Sequence, residues 1–274
     1  MVKGFDKRGF AAPYHFHPEY ELTLIVKGNG KRYIGAHMDQ FGPGDLVLIG
    51  SDLPHCWKLD DPDGKMEAQS VVVHFSPEFL GTAISEKDEF EHIKKLLQKS
   101  GSGIQYTGAT QVKIKEQITQ LLEEPDNFNA LISLLQILQY LALSTEYKLL
   151  DQNNTIIQQP SSDQERINRV FAYIVDNFQK DITLDCAART INMTPNAFCK
   201  YFKKVTRKTF MEAVMEFRIN YAIQQLVQTD KTISSICYDS GFGDISHFHK
   251  TFKSRMQLSP LHYRRKFMEA TPSP

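Results

Sequence analysis

The chain of 274 residues is long enough for two domains with sizeable cores, and its 41% hydrophobic and 23% charged residues exclude a fibrous or disordered protein. No apolar run reaches the roughly 18 residues that cross a bilayer, and the start, MVKGFDKRGF, lacks a secretory apolar stretch, so a cytoplasmic place without membrane contact is expected. The formal charge is zero, yet residues 1–160 hold 15 Lys/Arg against 21 Asp/Glu, whereas residues 161–274 hold 17 against 11, which turns only the second part towards a polyanion.

From about Phe10 to His74 the text is strand-like. ELTLIVKG runs into the turn GNG and returns as KRYIG; QFGPGDLVLIG and QSVVVHF add further turns and strands. Short strands punctuated by Gly and Pro predict a β-barrel or sandwich. Helical spacing follows over Ile84–Lys99, Thr110–Glu123 and Asn127–Leu149. The last carries Leu131, Leu134, Leu135, Leu138 and Leu141 on one stripe, with Ile132 and Ile137 off it. A surface helix needs only one apolar stripe, so this one is expected to pack on two sides, against the barrel and a second subunit; burial in its own domain alone explains the pattern too. The polar stretch DQNNTIIQQPSSD reads as a linker ending in a helix cap. Helices are then predicted at Asp163–Gln179, Leu184–Thr190, Pro195–Lys204, Phe210–Gln228, Ile233–Ser240, Ile245–Met256 and Pro260–Phe267, with Thr194-Pro195 and Ser259-Pro260 as cap-plus-proline starts. The four cysteines, Cys56, Cys186, Cys199 and Cys237, form no CxxC pair and read as thiols in a reducing compartment.

The helical half contains a degenerate repeat. LDCAARTINMTPNAFCKYFKK and ISSICYDSGFGDISHFHKTFK each give a short helix, a tight turn and a second helix of mixed apolar and basic character. This is helix-turn-helix grammar. In each second helix a Phe pair four residues apart, Phe198 and Phe202 or Phe248 and Phe252, anchors one face to the core. The opposite face is free for a major groove and offers Asn196, Cys199 and Lys200 in the first unit, and Ser246, His247, His249 and Lys250 in the second, as base contacts. Thr194, Lys203, Lys204, Lys253 and Arg255 suit phosphates. Two such units could address grooves about one turn apart, on the order of 34 Å. Two ordinary hairpins with solvated basic faces are the plainer alternative.

The stretch ISSICYDSGFGDISHFHKTFKSRMQLSPLHYR resembles the signature of the AraC/XylS family of bacterial transcription regulators, through Ile233, Ile236, Gly241, Phe242, Asp244, Ser246, Phe248, Phe252, Lys253, Ser259, Pro260, Tyr263 and Arg264. It departs at Cys237, where Ala is usual, at Lys250, where Arg is frequent, and at Arg207 and Gln257, where Gly is common. The resemblance covers about residues 163–267. It implies a bihelical DNA-binding domain acting at promoters, commonly as an activator that recruits RNA polymerase.

At the other end, Gly9, His15, His17, Glu21 and Gly28 match the first cupin motif, G-x5-HxH-x3,4-E-x6-G, and FGPGDLVLIGSDLPHCW resembles the second in part, with His55 as its histidine. That similarity implies a cupin barrel of the kind many such regulators carry as a sensor. His15, His17, Glu21 and His55 can line an effector pocket, hold a divalent transition metal, or satisfy one another; Tyr20 and Trp57 can add an aromatic surface.

The expected architecture is multidomain: an all-β cupin barrel over 1–82, a helical dimerisation segment over 83–150, a linker over 151–162, an all-α domain with two helix-turn-helix units over 163–267, and a tail. The expected function is effector-controlled transcription regulation by a homodimer on promoter DNA, with a small molecule, plausibly a carbohydrate, in the barrel. The competing class is a metal-dependent cupin isomerase or dioxygenase with a DNA-binding tail. The chain offers that class no phosphate loop, nucleophile motif or Rossmann fingerprint.

Overall fold

The computed structural model describes residues 2–61, 63–81, 87–151 and 163–269. The chain divides into two compact units, 1–160 and 161–274.

Among the described residues of the first unit nine strands form two antiparallel sheets. The strands are β1 (Val2–Asp6), β2 (Tyr20–Lys27), β3 (Gly30–Ile34), β4 (His37–Phe41), β5 (Leu46–Ile49), β6 (His55–Leu59), β7 (Gln69–Phe75), β8 (Ile104–Tyr106) and β9 (Tyr147–Leu149). One sheet runs β1-β7-β2-β5-β8-β9, the other β4-β3-β6. This is the expected β-rich domain, but among the described residues its strands do not hydrogen-bond into a closed barrel. Among the described residues an isolated bridge, His15 to His55, ties the first sheet's approach segment to the second sheet.

Alternation decides what each face of the six-stranded sheet does. Leu22 and Leu24 of β2 and Val71, Val73 and Phe75 of β7 point outward into a core shared with three helices, α1 (Glu91–Lys99), α2 (Gly108–Glu123) and α3 (Asn127–Leu143). Glu21, Thr23 and Ile25, with Ser70, Val72 and His74, point the other way and line a cavity between the sheets. The register pairs Glu21 with His74 and Thr23 with Val72.

The helical segment departs from expectation at both ends. The predicted helix Ile84–Lys99 begins at Glu91, after a 3-10 turn at Asp88–Phe90, and residue 84 lies outside the described residues. The predicted helix Asn127–Leu149 stops at Leu143, where Ser144 turns extended. Its last residues become β9 because Glu146 is used elsewhere: its carboxylate accepts from the Ala109 and Thr110 N–H groups at the start of α2, the role of an anionic helix cap. With β8 this makes the segment part of the first sheet rather than a separate appendage. Of the α3 side chains, Leu134, Ile137, Leu138 and Leu141 are buried, so Ile137 belongs to the core stripe, while Leu131 and Leu135 are half-buried at its margins. Phe128, Ile132 and Leu143 are exposed, Phe128 at 68%.

The linker expected to start at residue 151 starts later. Asp151 is buried, and its N–H donates to the Ser102 carbonyl at 2.7 Å. The remainder, 152–162, lies outside the described residues, as does the tail beyond Glu269.

Among its described residues the second unit is all helix: α4 (Gln164–Asn177), α5 (Leu184–Thr190), α6 (Pro195–Thr206), α7 (Phe210–Gln228), α8 (Ile233–Asp239), α9 (Ile245–Met256) and α10 (Pro260–Glu269). Asp163 precedes α4 without a side-chain capping bond and pairs instead with Arg166, so the expected cap does not form there. The other starts follow the sequence. Thr183, Thr194, Thr232 and Asp244 each accept from the N–H three residues on, and Thr209 forms a capping box with Glu212. The aromatic pegs are dry. Phe198 and Phe202 meet Phe210 at 5.3 and 5.7 Å, and Phe248 lies between Phe242 and Phe252 at 5.1 and 5.7 Å. Gly241, in the turn between α8 and α9, has φ of +85°, and a Cβ there would stand 2.5 Å from the Phe178 carbonyl. That same carbonyl accepts from Arg218 Nε at 2.7 Å, while Arg218 Nη2 donates to Lys180 O at 2.9 Å. One buried guanidinium thus satisfies the C-terminal end of α4 and fixes it beside the second turn.

Candidate functional site

The cavity between the sheets has a volume of about 1430 Å³. Its polar end is built by three elements. The segment before β2 brings His15 and His17, the start of β6 brings His55, and β2 and β7 bring Glu21 and His74 side by side. Three of the five residues share a chemical arrangement. Nδ1 of His15 faces Pro13 O at 2.7 Å, Nδ1 of His17 faces Glu19 O at 3.1 Å, and Nδ1 of His55 faces Leu53 O at 2.8 Å. A carbonyl oxygen only accepts, so these bonds assign the proton to Nδ1 in each ring and leave Nε2 as a lone pair in the neutral form. Two of the Nε2 atoms lie at Glu21, whose Oε2 is 3.2 Å from His17 and 3.4 Å from His55, the latter in ion-pair range without hydrogen-bond geometry. Glu21 Oε2 also accepts from His74 Nε2 at 2.8 Å, and its Oε1 accepts from Thr23 Oγ1 at 2.6 Å.

Burial alone would raise the Glu21 carboxyl, but the adjoining rings of His55, His17 and His74 outweigh burial and hold it well below the usual carboxylate range. Burial, reinforced by His55, lowers His15 to about 4, so that ring is neutral at physiological pH. The predicted set His15, His17, Glu21 and His55 is therefore brought together. His74 was missed; the signal was the alternation of QSVVVHF, which puts Ser70, Val72 and His74 on one face.

The two aromatic expectations part. Trp57 lines the cavity, with its Nε1–H buried and without a hydrogen-bond partner among the described residues. Tyr20 does not: next to Glu21 in a strand, it points to the opposite face and stacks on Phe75 at 5.3 Å. Phe10, stacked on Phe41, supplies the second aromatic wall in its place.

In the second unit, Asn196, Cys199 and Lys200 of α6 and Ser246, His247, His249 and Lys250 of α9 are all exposed, opposite the buried Phe pairs. Lys203, Lys204 and Lys253 are exposed in the last turns. Thr194 is exposed while its hydroxyl caps α6. Arg255 is held differently: its guanidinium reaches α7, to Glu212 O at 3.3 Å and Glu216 at 3.5 Å. Arg207 and Gln257, the positions where glycine was noted as common, both end recognition helices in the left-handed region, at φ of 61° and 59°. Cys56 and Cys237 are buried free thiols, and Cys186 and Cys199 exposed ones. Among the described residues, no helix is long and apolar enough to cross a membrane.

A β-rich unit with a cavity joined to a unit with two helix-turn-helix motifs is the architecture of a DNA-binding transcription regulator with a ligand-binding domain. Residues 3–138 match the AraC-like ligand binding domain and residues 187–266 a helix-turn-helix domain. The chain belongs to the AraC/XylS family of DNA-binding transcription regulators. It is 23% identical over 260 residues to the uncharacterized HTH-type transcriptional regulator YdeC of Bacillus subtilis, covering 92% of this chain and 86% of that one. It is 22% identical over 266 residues to the melibiose operon regulatory protein of Escherichia coli, covering 93% and 86%. Among solved structures, the DNA-binding domain of AdpA in complex with a target DNA is 18% identical, with a TM-score of 0.37, covering 38% of this chain and 95% of that one.

Proposed function

We propose that the chain is a transcription activator switched by a small effector in the N-terminal cavity, and that the effector is a carbohydrate or a related polyol. The observation that carries this is the polar end of the cavity: imidazoles and a carboxylate converge opposite apolar and aromatic walls, a pairing that suits a ligand with hydroxyls on one side and C–H faces on the other. Relatives named as a melibiose operon regulator and as the transcriptional activator RhaS support both the ligand class and activation. The protein acts as a homodimer, for which the exposed Phe128, Ile132 and Leu143 on α3 offer the surface. The exposed faces of α6 and α9 enter major grooves at a promoter, and RNA polymerase is the further partner. The effector switches the regulator only if it binds one arrangement of the dimer better than another.

The test is a panel of mono- and disaccharides scored by thermal shift of the full chain and by affinity for a promoter duplex. A hit should raise the unfolding temperature and change DNA affinity, and His17→Ala should lose both responses while keeping basal DNA binding. Thermal shifts with no effect on DNA binding would contradict a sensor.

A further inference from the structure

We propose that Glu216 is the joint that sets the spacing between the two DNA elements the chain reads, by tying both recognition helices to α7, and that Arg255 belongs to this joint and not to the DNA backbone. The helices α6 and α9 share α7 as their support but rest at different places along it. Phe198 and Phe202 of α6 pack on Phe210, in the first turn of α7. Phe248 and Phe252 of α9 share a core with Ile219, Ala222 and Leu226, further along. At a helical rise of about 1.5 Å per residue, Phe210 and Ala222 are about 18 Å apart along the axis. Both anchors are apolar, and apolar burial has no direction. It holds each rod to its support without fixing the angle between the two rods.

Glu216 lies on α7 midway between those anchors and supplies the direction. Its two carboxylate oxygens accept from Lys208 Nζ, just past the end of α6, at 2.8 and 2.9 Å. Its Oε1 also pairs with Arg255 Nη1, from the last turn of α9, at 3.5 Å. The same guanidinium donates through Nη2 to the Glu212 carbonyl, one turn earlier on α7, at 3.3 Å. The Glu212 carboxylate is turned instead to the Thr209 N–H. Glu216 is 14% exposed and its two cations about a third. Pairs this open to water add little stability. What a shared carboxylate and a planar fork add is register, the best-attested use of such pairs. Arg255 directs two of its nitrogens to α7, whereas Lys253, in the same turn of α9, stands exposed towards solvent. The inference rests on the reading that α6 and α9 enter neighbouring grooves.

The experiment uses the full chain. Its probes are the duplex recovered by selection from a random library and two copies of it, with one base pair added or removed between its two elements. Wild type is expected to favour the selected spacing. Glu216→Gln keeps the size of the side chain and removes its charge; its preference for that spacing should fall about threefold or more. An acid that merely lies near DNA would behave differently, because removing it would tighten binding to all three duplexes alike. Arg255→Lys keeps the charge and loses the fork, so it should blunt the spacing preference and leave the salt slope unchanged. Arg255→Ala should also keep the slope, where loss of a phosphate contact would lower it by about one. Glu216→Gln combined with Arg255→Lys should be no less selective than either change alone, since both break one joint. Thermal unfolding without DNA shows which variants are folded; should Glu216→Gln fail to fold, Arg255→Lys decides. A spacing preference as sharp as that of wild type in the folded variants overturns the joint. A slope lowered by one in Arg255→Ala overturns the assignment of Arg255 and returns it to the DNA backbone. Selection that recovers no preferred duplex for wild type is a different failure, which removes the reading of the recognition helices and the joint with it.

Discussion

The sensing strands and the recognition helices are both two-faced, but they keep their binding faces in different places. In β2 and β7 the period of two sends Leu22, Leu24, Val71 and Val73 to the helices and Glu21, Thr23, Ser70 and His74 to the cavity, so both faces are enclosed. In α6 and α9 the period of 3.6 buries Phe198, Phe202, Phe248 and Phe252 and leaves the opposite side in solvent. The lesson is about separability. A recognition helix can exchange its binding residues with little effect on folding, whereas the cavity's polar residues are also part of a core and must be satisfied by one another or by a ligand.

The largest expected effects lie on the packing faces. Phe202→Ala should lose about 3–5 kcal/mol and Leu24→Ala about 2–5 kcal/mol of stability in urea unfolding; losses near zero would mean that these faces are not the cores described. Next come the exposed faces: Lys200→Ala and Lys250→Ala should each weaken specific DNA binding by about 1–3 kcal/mol while stability stays within about 0.5 kcal/mol. An equal loss of stability would erase the contrast between helix and strand. Lys203→Ala should weaken binding to all duplexes alike and reduce the salt slope by about one.

Acid should separate the two regions in the same way. His15 is lowered to about 4 in the fold, so below its ordinary value of 6.5 the unfolded chain takes up the proton first, and the stability it contributes is lost as pH falls from 6.5 towards 4. Glu21, held below its ordinary range, acts in the same direction at lower pH. The first unit should therefore lose unfolding temperature on acidification; a flat profile between pH 7 and 5 would contradict the buried cluster. The smallest effect is conformational: Gln257→Gly and Arg207→Gly should stabilise the second unit by up to about 1 kcal/mol, because both positions are left-handed.

The helical unit was almost fully legible because its signals are local. Thr194 caps where the text places a cap, and α7 and α9 span the predicted residues. The first unit was legible in its strands but not in their closure, since sheet order depends on pairings far apart in the chain. β8 and β9 were hidden because three-residue strands carry no period. His74 escaped because its meaning lies in register: only pairing β7 against β2 puts it opposite Glu21. Tyr20 was misplaced for the complementary reason, one residue of alternation.

The central claim is that two recognition helices on one chain read DNA side by side. Selection of the full-length protein on a random duplex library tests it most directly, run in parallel for wild type, Lys200→Ala and Lys250→Ala. The account predicts one enriched site with two adjacent elements, each variant blurring a different one. Recovery of no preferred sequence, or both variants blurring the same element, would contradict it.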